Sequence, residues 1–155
     1  MTFLLIRPDS WNFPLFVHVA GAMVVTAAVV AAIGALVLAW RATGEHRAAL
    51  TRFAFRTLLF AGIPAWLVMR IGAEWIYSKE YSGDNDPTWV GVGYAIAEPS
   101  GLLILIATIL TYLGARRLRS GGGGGGRMAK VATVLATIAV AFFVVAIWAM
   151  TTKPS

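Results

Sequence analysis

Four apolar stretches, each long enough to cross a lipid bilayer, constrain this sequence more than any other feature. They cover residues 14–40, 57–77, 88–113 and 129–150 of a 155-residue chain. A transmembrane helix needs about 20 apolar residues, because it rises about 1.5 Å per residue through about 30 Å of hydrocarbon. Within lipid, only helices and closed barrels satisfy their own backbone hydrogen bonds. The sequence therefore predicts an all-α, four-transmembrane-helix bundle that forms a single domain over residues 1–155.

The composition agrees with a membrane protein and excludes several site chemistries. Hydrophobic residues make up 59% of the chain and charged residues 13%, against about 45–50% and about 25% in soluble domains. The chain has no cysteine, two histidines and seven acidic residues. Disulfides, thiolate metal sites and a cysteine nucleophile are therefore excluded, and a hydrolytic triad is not expected. We expect a protein without enzymatic activity, without a metal site and without a cofactor.

Positively charged residues lie mostly in two connections, between the first and second spans and between the third and fourth. The nine residues are Arg41, Arg47, Arg52, Arg56, Arg116, Arg117, Arg119, Arg127 and Lys130. Because such residues favour the cytoplasmic side, both connections are predicted to be cytoplasmic and the topology to be N-out/C-out. The net charge of +6 is interpreted as an orientation signal and as affinity for anionic lipid headgroups, rather than for nucleic acid.

The amino-acid usage also indicates a source and a location. Ten arginines against three lysines, with abundant Ala, Gly and Val, are typical of a bacterium with GC-rich coding. Together with the four predicted spans, this usage predicts a bacterial membrane protein that crosses its membrane several times.

Shorter segments outside the spans are assigned from local pattern. Residues 1–6 are apolar and are predicted to lie at the membrane interface. Asp86 and Pro87 match an N-cap followed by the first residue of the third helix. Residues 120–126, one serine and six glycines, are predicted to form a flexible cytoplasmic connection.

Small residues recur at helical spacing in three spans, which predicts close approach between helices. The three stripes are Ala20, Ala27 and Gly34; Gly93, Ala97 and Gly101; and Ala129, Thr133, Thr137 and Ala141. We expect these stripes to assemble the bundle. Any surplus stripe would contact a second copy of the chain or a larger membrane complex.

Ionisable residues inside the predicted spans mark the candidate site. These residues are His18, Arg70, Glu74 and Glu98, at depths of about 5–15 Å from the external ends of their helices. Ionisable groups are costly in lipid and are usually functional there. Together with Tyr94, one turn before Glu98, they are predicted to form a polar pocket that opens to the outside.

Arg70 has two candidate partners in this pocket. Glu74 follows it by four residues on the same helical face, and Glu98 is the one deeper carboxylate on another span. Buried charges persist mainly when they are paired, so an interhelical pair between Arg70 and Glu98 is one hypothesis. In the other hypothesis, the Arg70 side chain extends outward toward the membrane interface and Glu74 is hydrated there. Pro99 follows Glu98 and predicts a kink in the third span.

Three functional hypotheses are consistent with these residues. The first is a non-enzymatic accessory or assembly protein with an outward-facing polar pocket. The second is a small proton- or ion-linked transporter that uses Glu98 and Arg70. The third is a subunit that binds b-type haem or quinone through His18. A haem with two histidine ligands is not completed within one chain, because His46 lies in a connection.

The first span begins with FVHVAGA at residues 16–22. This segment resembles the first-helix pattern, Leu or Val, His, two residues and Gly, of small bacterial four-span integral membrane proteins of unknown function. More distantly, it is similar to the first helix of copper-resistance D-like membrane proteins. Residues 64–81 and 89–101 resemble the same bacterial four-span proteins. The resemblance implies a four-helix inner-membrane protein with an outward polar site around His18.

Overall fold

The computed structural model describes residues 9–80, 88–121 and 123–152, and in this part of the chain all regular structure is helical. The elements are α1 (Asp9–Arg41), α2 (Gly44–Thr57), a π-helical turn (Leu58–Gly62), α3 (Ile63–Glu80), α4 (Thr88–Arg119) and α5 (Gly125–Thr152). Since α2, the π-helical turn and α3 are continuous, the chain forms four long rods, each long and apolar enough to cross a membrane. The prediction of an all-α fold with four membrane-length helices is confirmed. The predicted interfacial segment at residues 1–6 and the predicted cap at Asp86 and Pro87 lie outside the described residues.

The four rods alternate in direction and define two ends of the bundle. We call the end that holds Asn12, Lys79, Thr88 and Thr152 the terminal end. The opposite end, where α1 is followed by α2 and α4 by α5, carries the nine basic residues and is called the basic end. α1 packs against α2 and α3, α4 packs closely against α5, and α2 joins the two pairs by its contact with α4.

The second rod is longer than the predicted span, which began at residue 57. It starts at Gly44, whose φ of 55° lets the chain turn directly from α1 into α2. Thr51 and Ala54 on α2 are fully buried, and Phe55 contacts Tyr112 of α4 with ring centroids 5.2 Å apart. Tertiary packing on α4 therefore orders this polar segment as helix.

The π-helical turn ends at Gly62, two residues before Pro64. A proline has no N–H to donate, and its ring collides with the carbonyl four residues earlier. A widened turn relieves both problems without ending the helix, and such single π turns are common inside α-helices. The rod can therefore continue from the basic end to the terminal end despite the proline.

The connection between α4 and α5 is shorter than residues 120–126, because α5 already begins at Gly125. Gly121 and Gly124 have φ of 69° and 85°, which are conformations that favour glycine. At Gly125, an added Cβ would lie 2.9 Å from the carbonyl oxygen of Gly114 and 2.8 Å from Cγ of Leu118. Only glycine permits this approach, so the last glycines belong to the packed helix and not to a flexible loop.

The best-packed core occupies the half of the bundle nearer the basic end. Its fully buried large side chains include Val25, Val29, Leu36, Leu58 and Ile104. Two predicted stripes do not coincide with the buried faces: Ala27 and Gly34 of the first stripe are exposed, as are Thr137 and Ala141 of the third. Small residues do not indicate which helix face packs inward, because lipid tails are as apolar as a protein core.

Candidate functional site

A cavity of about 350 Å³ lies between all four rods in the half of the bundle nearer the terminal end. We call it the four-helix cavity. α3 and α5 face each other across it instead of packing together. Its polar or bulky lining residues include His18, Thr26, Arg70, Tyr94, Phe143 and Met150.

The lining residues follow helical spacing on each rod. On α1 they are Leu15, His18, Ala22 and Thr26, and on α5 they are Phe143, Ala146, Ile147 and Met150. Residues three or four positions apart share a helix face, so each rod presents a continuous stripe to the cavity. Because several lining residues are Ala or Gly, the side chains do not fill the space between the rods.

His18 is fixed on the cavity wall by a hydrogen bond to α3. Its Nδ1 lies 2.9 Å from the carbonyl oxygen of Met69. A carbonyl oxygen can only accept, so Nδ1 carries the hydrogen and donates. In a ring with one hydrogen, Nε2 then holds a lone pair and accepts. No hydrogen bond to Nε2 occurs among the described residues, so Nε2 is the polar ring atom that His18 can offer to the cavity.

The backbone around His18 is held by a crossing of α1 and α3 that uses two glycines. A Cβ added at Gly72 would lie 2.6 Å from the backbone nitrogen of His18. In the reciprocal contact, a Cβ added at Gly21 would lie 2.6 Å from the backbone nitrogen of Met69. The two backbones therefore touch at His18 and Met69, which are also the two partners of the hydrogen bond. This crossing holds the imidazole in one position relative to α3.

Arg70 sits between two carboxylates and an aromatic ring. Its Nη2 lies 2.9 Å from Oε1 of Glu74 and 3.8 Å from Oε1 of Glu98. Its Cζ lies 4.8 Å from the centroid of the Tyr94 ring, within the range of a cation–π contact. Both hypothesised pairs are therefore present, and the guanidinium joins α3 to α4.

The two carboxylates lie outside the cavity. The side chain of Arg70 is 17% exposed, whereas those of Glu74 and Glu98 are 53% and 71% exposed. Neither acid is a lining residue. The structure thus separates the predicted pocket residues into two groups: His18, Arg70 and Tyr94 line the four-helix cavity, and the two acids lie on the surface beside it. The pair of Arg70 with Glu98 is not a buried one.

Tyr94 lines the cavity but donates no hydrogen bond to Glu98. Its hydroxyl oxygen is buried and has no hydrogen-bond partner among the described residues. The ring instead packs edge-on against Tyr77, with centroids 5.6 Å apart, and lies beside the Arg70 guanidinium. Tyr94 therefore contributes aromatic surface to the cavity.

The seam between α3 and α4 below the cavity is closed by Trp66. Its Nε1 donates to the carbonyl oxygen of Ala97 at 3.2 Å, and Ser100 Oγ donates to the same oxygen at 2.7 Å. The indole covers Gly101 so closely that a Cβ there would collide with it. α4 stays helical from Thr88 to Arg119 through Pro99. The interrupted helix of a transporter site is therefore not seen at Glu98.

Sequence reasoning missed the apolar part of the site. Phe143, Ala146 and Met150 line the cavity, although the fourth span carries no ionisable residue that would mark it as part of a site. An apolar lining residue has the same sequence signature as a lipid-facing one. The Met69 carbonyl that holds His18 is a backbone group and has no sequence signature.

Neither metal-ligand clustering nor similarity to known proteins identifies the site. Among the described residues, no group of three or more His, Cys, Asp or Glu side chains is placed to hold a metal ion. No protein-family model, curated protein or solved structure matches the chain. The geometry of the cavity is therefore the basis for assigning a function.

Proposed function

We propose that this chain is a non-enzymatic integral membrane protein that binds a small, largely apolar molecule in the four-helix cavity. The observation that carries the proposal is a cavity of about 350 Å³ that all four rods line. Ligand sites are typically about 300–1,000 Å³ in volume and mostly apolar with a few polar groups. An apolar protein cavity of about 150 Å³ already accepts benzene. The space therefore suits a substituted ring or a short branched chain.

Two observations favour binding over ion or proton transport. Glu98, the residue on which the transport hypothesis depends, is 71% exposed and lies outside the cavity lining. α4 is a continuous helix at that point, whereas transporter sites typically use broken helices with free backbone groups. The position of Glu98 suits a surface ion pair with Arg70 and requires no transport pathway.

We further propose that the basic end faces the cytoplasm of a bacterium and that the terminal end, with the cavity, faces outward. The support is the grouping of nine basic residues at one end of the bundle, which is the pattern of cytoplasmic loops. Lys130 also lies 6.0 Å from the Trp40 ring, and Trp and basic residues both favour the headgroup level. Anionic headgroups are the proposed partners of this end.

The assembly role is proposed from the stripe that the bundle does not use. Ala27 and Gly34 are exposed on α1, and no atom would contact a Cβ added at Gly34. An exposed stripe of small residues suits close packing against another transmembrane helix. We therefore propose that the protein works as an accessory component, either as a homo-oligomer or within a larger membrane complex.

Cavity binding is tested by filling the space. Ala146→Phe places a ring in the cavity from α5, and Ala141→Phe is the matched control because Ala141 is exposed on the same helix. The probe is the dimethyl ether of tert-butylhydroquinone, a substituted ring without hydrogen-bond donors. Binding to the detergent-purified chain is followed by the rise in melting temperature, since a ligand that binds only the folded state stabilises it.

We expect Ala146→Phe to abolish the shift in melting temperature and Ala141→Phe to retain it. Glu98→Gln should also retain the shift, because Glu98 does not line the cavity. Ala73→Phe fills the same space from α3 and serves if Ala146→Phe does not fold. An equal shift in the wild type and in both cavity-filling variants would show that the probe binds elsewhere and would overturn the proposal.

A further inference from the structure

We infer that the ligand of the four-helix cavity is a hydroquinone, an aromatic ring with hydroxyl groups, and that one hydroxyl donates a hydrogen bond to Nε2 of His18. This inference rests on the proposed cavity binding and names the chemical class of the ligand. It depends on three features of the cavity wall: the direction of the His18 hydrogen bond, the donors left free on Arg70, and the aromatic lining.

The first feature is that His18 offers the cavity an acceptor. Nδ1 donates to the Met69 carbonyl oxygen at 2.9 Å, so the lone pair of the singly protonated ring is on Nε2. The close approach at Gly72 places the His18 backbone directly against α3. A ligand that satisfies Nε2 must therefore donate a hydrogen. A hydroxyl group can do so, whereas an ether or quinone oxygen can only accept.

The second feature is that Arg70 offers donors on the same side of the cavity. A guanidinium has five N–H donors and no acceptor. Nη2 bonds Glu74 and lies near Glu98, while Nε and Nη1 form no hydrogen bond with a described residue. Arg70 follows Met69 directly on α3, and both Arg70 and His18 line the cavity. A second ligand oxygen can accept from these donors.

The third feature is the shape and chemistry of the remaining wall. Trp89, Tyr94 and Phe143 place aromatic rings around the cavity, and aromatic rings pack favourably against one another in offset or edge-on arrangements. The volume of about 350 Å³ exceeds the roughly 150 Å³ in which benzene binds. A ring that carries two hydroxyl groups and alkyl substituents matches the volume, the aromatic walls and both polar groups.

The test compares three probes that differ only in their oxygens. These are tert-butylhydroquinone, its dimethyl ether and the corresponding quinone. Each probe is added to the full chain in detergent under anaerobic conditions. Affinities come from the shift in melting temperature as a function of probe concentration. A hydrogen bond contributes about 0.5–1.5 kcal/mol, so the hydroquinone should bind up to about tenfold more tightly than the ether or the quinone.

His18→Asn is the decisive variant. The Asn amide nitrogen can take the place of Nδ1 and keep the bond to Met69, but nothing replaces Nε2. We expect this variant to lose the preference for the hydroquinone while still binding the ether. His18→Gln places an amide oxygen near the position of Nε2 and should restore part of the preference. Partition of each probe into detergent cancels when the ratio of affinities is compared between variants.

The outcomes separate this inference from the proposed function. If the ether and the hydroquinone bind equally, and Ala146→Phe abolishes both, cavity binding stands and the hydroquinone assignment is wrong. If the preference survives in His18→Asn, the hydroxyl group is recognised elsewhere and the role of His18 is wrong. If none of the probes binds, both proposals fail. A stoichiometric Soret band that His18→Asn removes would replace the hydroquinone with haem.

Discussion

The crossing of α1 and α3 gives a prediction whose size can be worked out from the structure. Gly72→Ala adds a Cβ that would lie 2.6 Å from the backbone nitrogen of His18, 2.8 Å from its Cα and 2.9 Å from its Cβ. Two of these three atoms are backbone, so a rotamer change cannot relieve the collision. Because unstrained carbon contacts begin at about 3.5 Å, the helices must separate by roughly 1 Å at this point.

The expected destabilisation has three contributions. Overpacking of a tight contact costs about 1–3 kcal/mol. Separation of the helices also breaks the bond between His18 and the Met69 carbonyl, and interhelical hydrogen bonds in membranes contribute about 0.6 kcal/mol. Alanine recovers about 1 kcal/mol through its greater helix propensity. The net destabilisation is therefore about 0.5–2.5 kcal/mol.

Gly34→Ala is the matched control, because no atom lies within 4 Å of a Cβ added at Gly34. Both variants gain the same helix propensity. The difference between their free energies of unfolding therefore measures the effect of the crossing alone, which we expect to be about 1.5–3.5 kcal/mol. Unfolding in a titration with sodium dodecyl sulfate, followed by tryptophan fluorescence, measures both free energies. Equal stability of the two variants would show that α1 and α3 do not touch at Gly72, and the fixed orientation of His18 would fail with it.

Three further predictions address other parts of the molecule. Single cysteines at Thr152 and Gly123 should label differently in intact cells, with an impermeant thiol reagent reaching only Thr152→Cys; the reverse pattern would invert the proposed orientation. Gly101→Ala should lower the melting temperature in the wild type but much less in a Trp66→Leu background, because the added Cβ meets the indole; equal losses in both backgrounds would contradict this contact. Tyr94→Phe should leave the free energy of unfolding unchanged or raise it by up to about 2 kcal/mol, since it removes a buried hydroxyl without a hydrogen-bond partner; a clear loss in chemical denaturation would mean that this hydroxyl has a partner.

The number and order of the rods could be predicted from sequence because bilayer thickness sets one length scale. Apolar runs of about 20 residues are hard to produce by chance, and all four coincide with helices in the structure. The extension of the second rod to Gly44 was less predictable in length, because its buried Thr51 and Ala54 reflect packing on α4 and not hydropathy. Likewise, the sequence predicts a flexible loop at the glycines that begin α5. Their close contact with Gly114 is visible only in the structure.

The polar residues of the site could be predicted, but their arrangement could not. Ionisable residues inside spans can be identified from sequence as candidate site residues, because they are costly in lipid. In the structure, Arg70 contacts both acids. Sequence spacing does not tell whether a carboxylate points into the bundle or away from it. Glu98 points away, with 71% of its side chain exposed. The acceptor at Nε2 of His18 depends on a backbone carbonyl of another helix, which no sequence pattern reveals.

Under the proposed function, two polar groups on the cavity wall would determine which molecule binds there. The cavity of about 350 Å³ is partly open to its surroundings and is not sealed inside the bundle. In a membrane, a lipid chain therefore competes with any ligand for this space. A lipid chain satisfies the apolar walls but neither accepts from Arg70 nor donates to Nε2 of His18. Selectivity over lipid must then come from these two side chains, whereas the apolar lining sets the size of the molecule that fits.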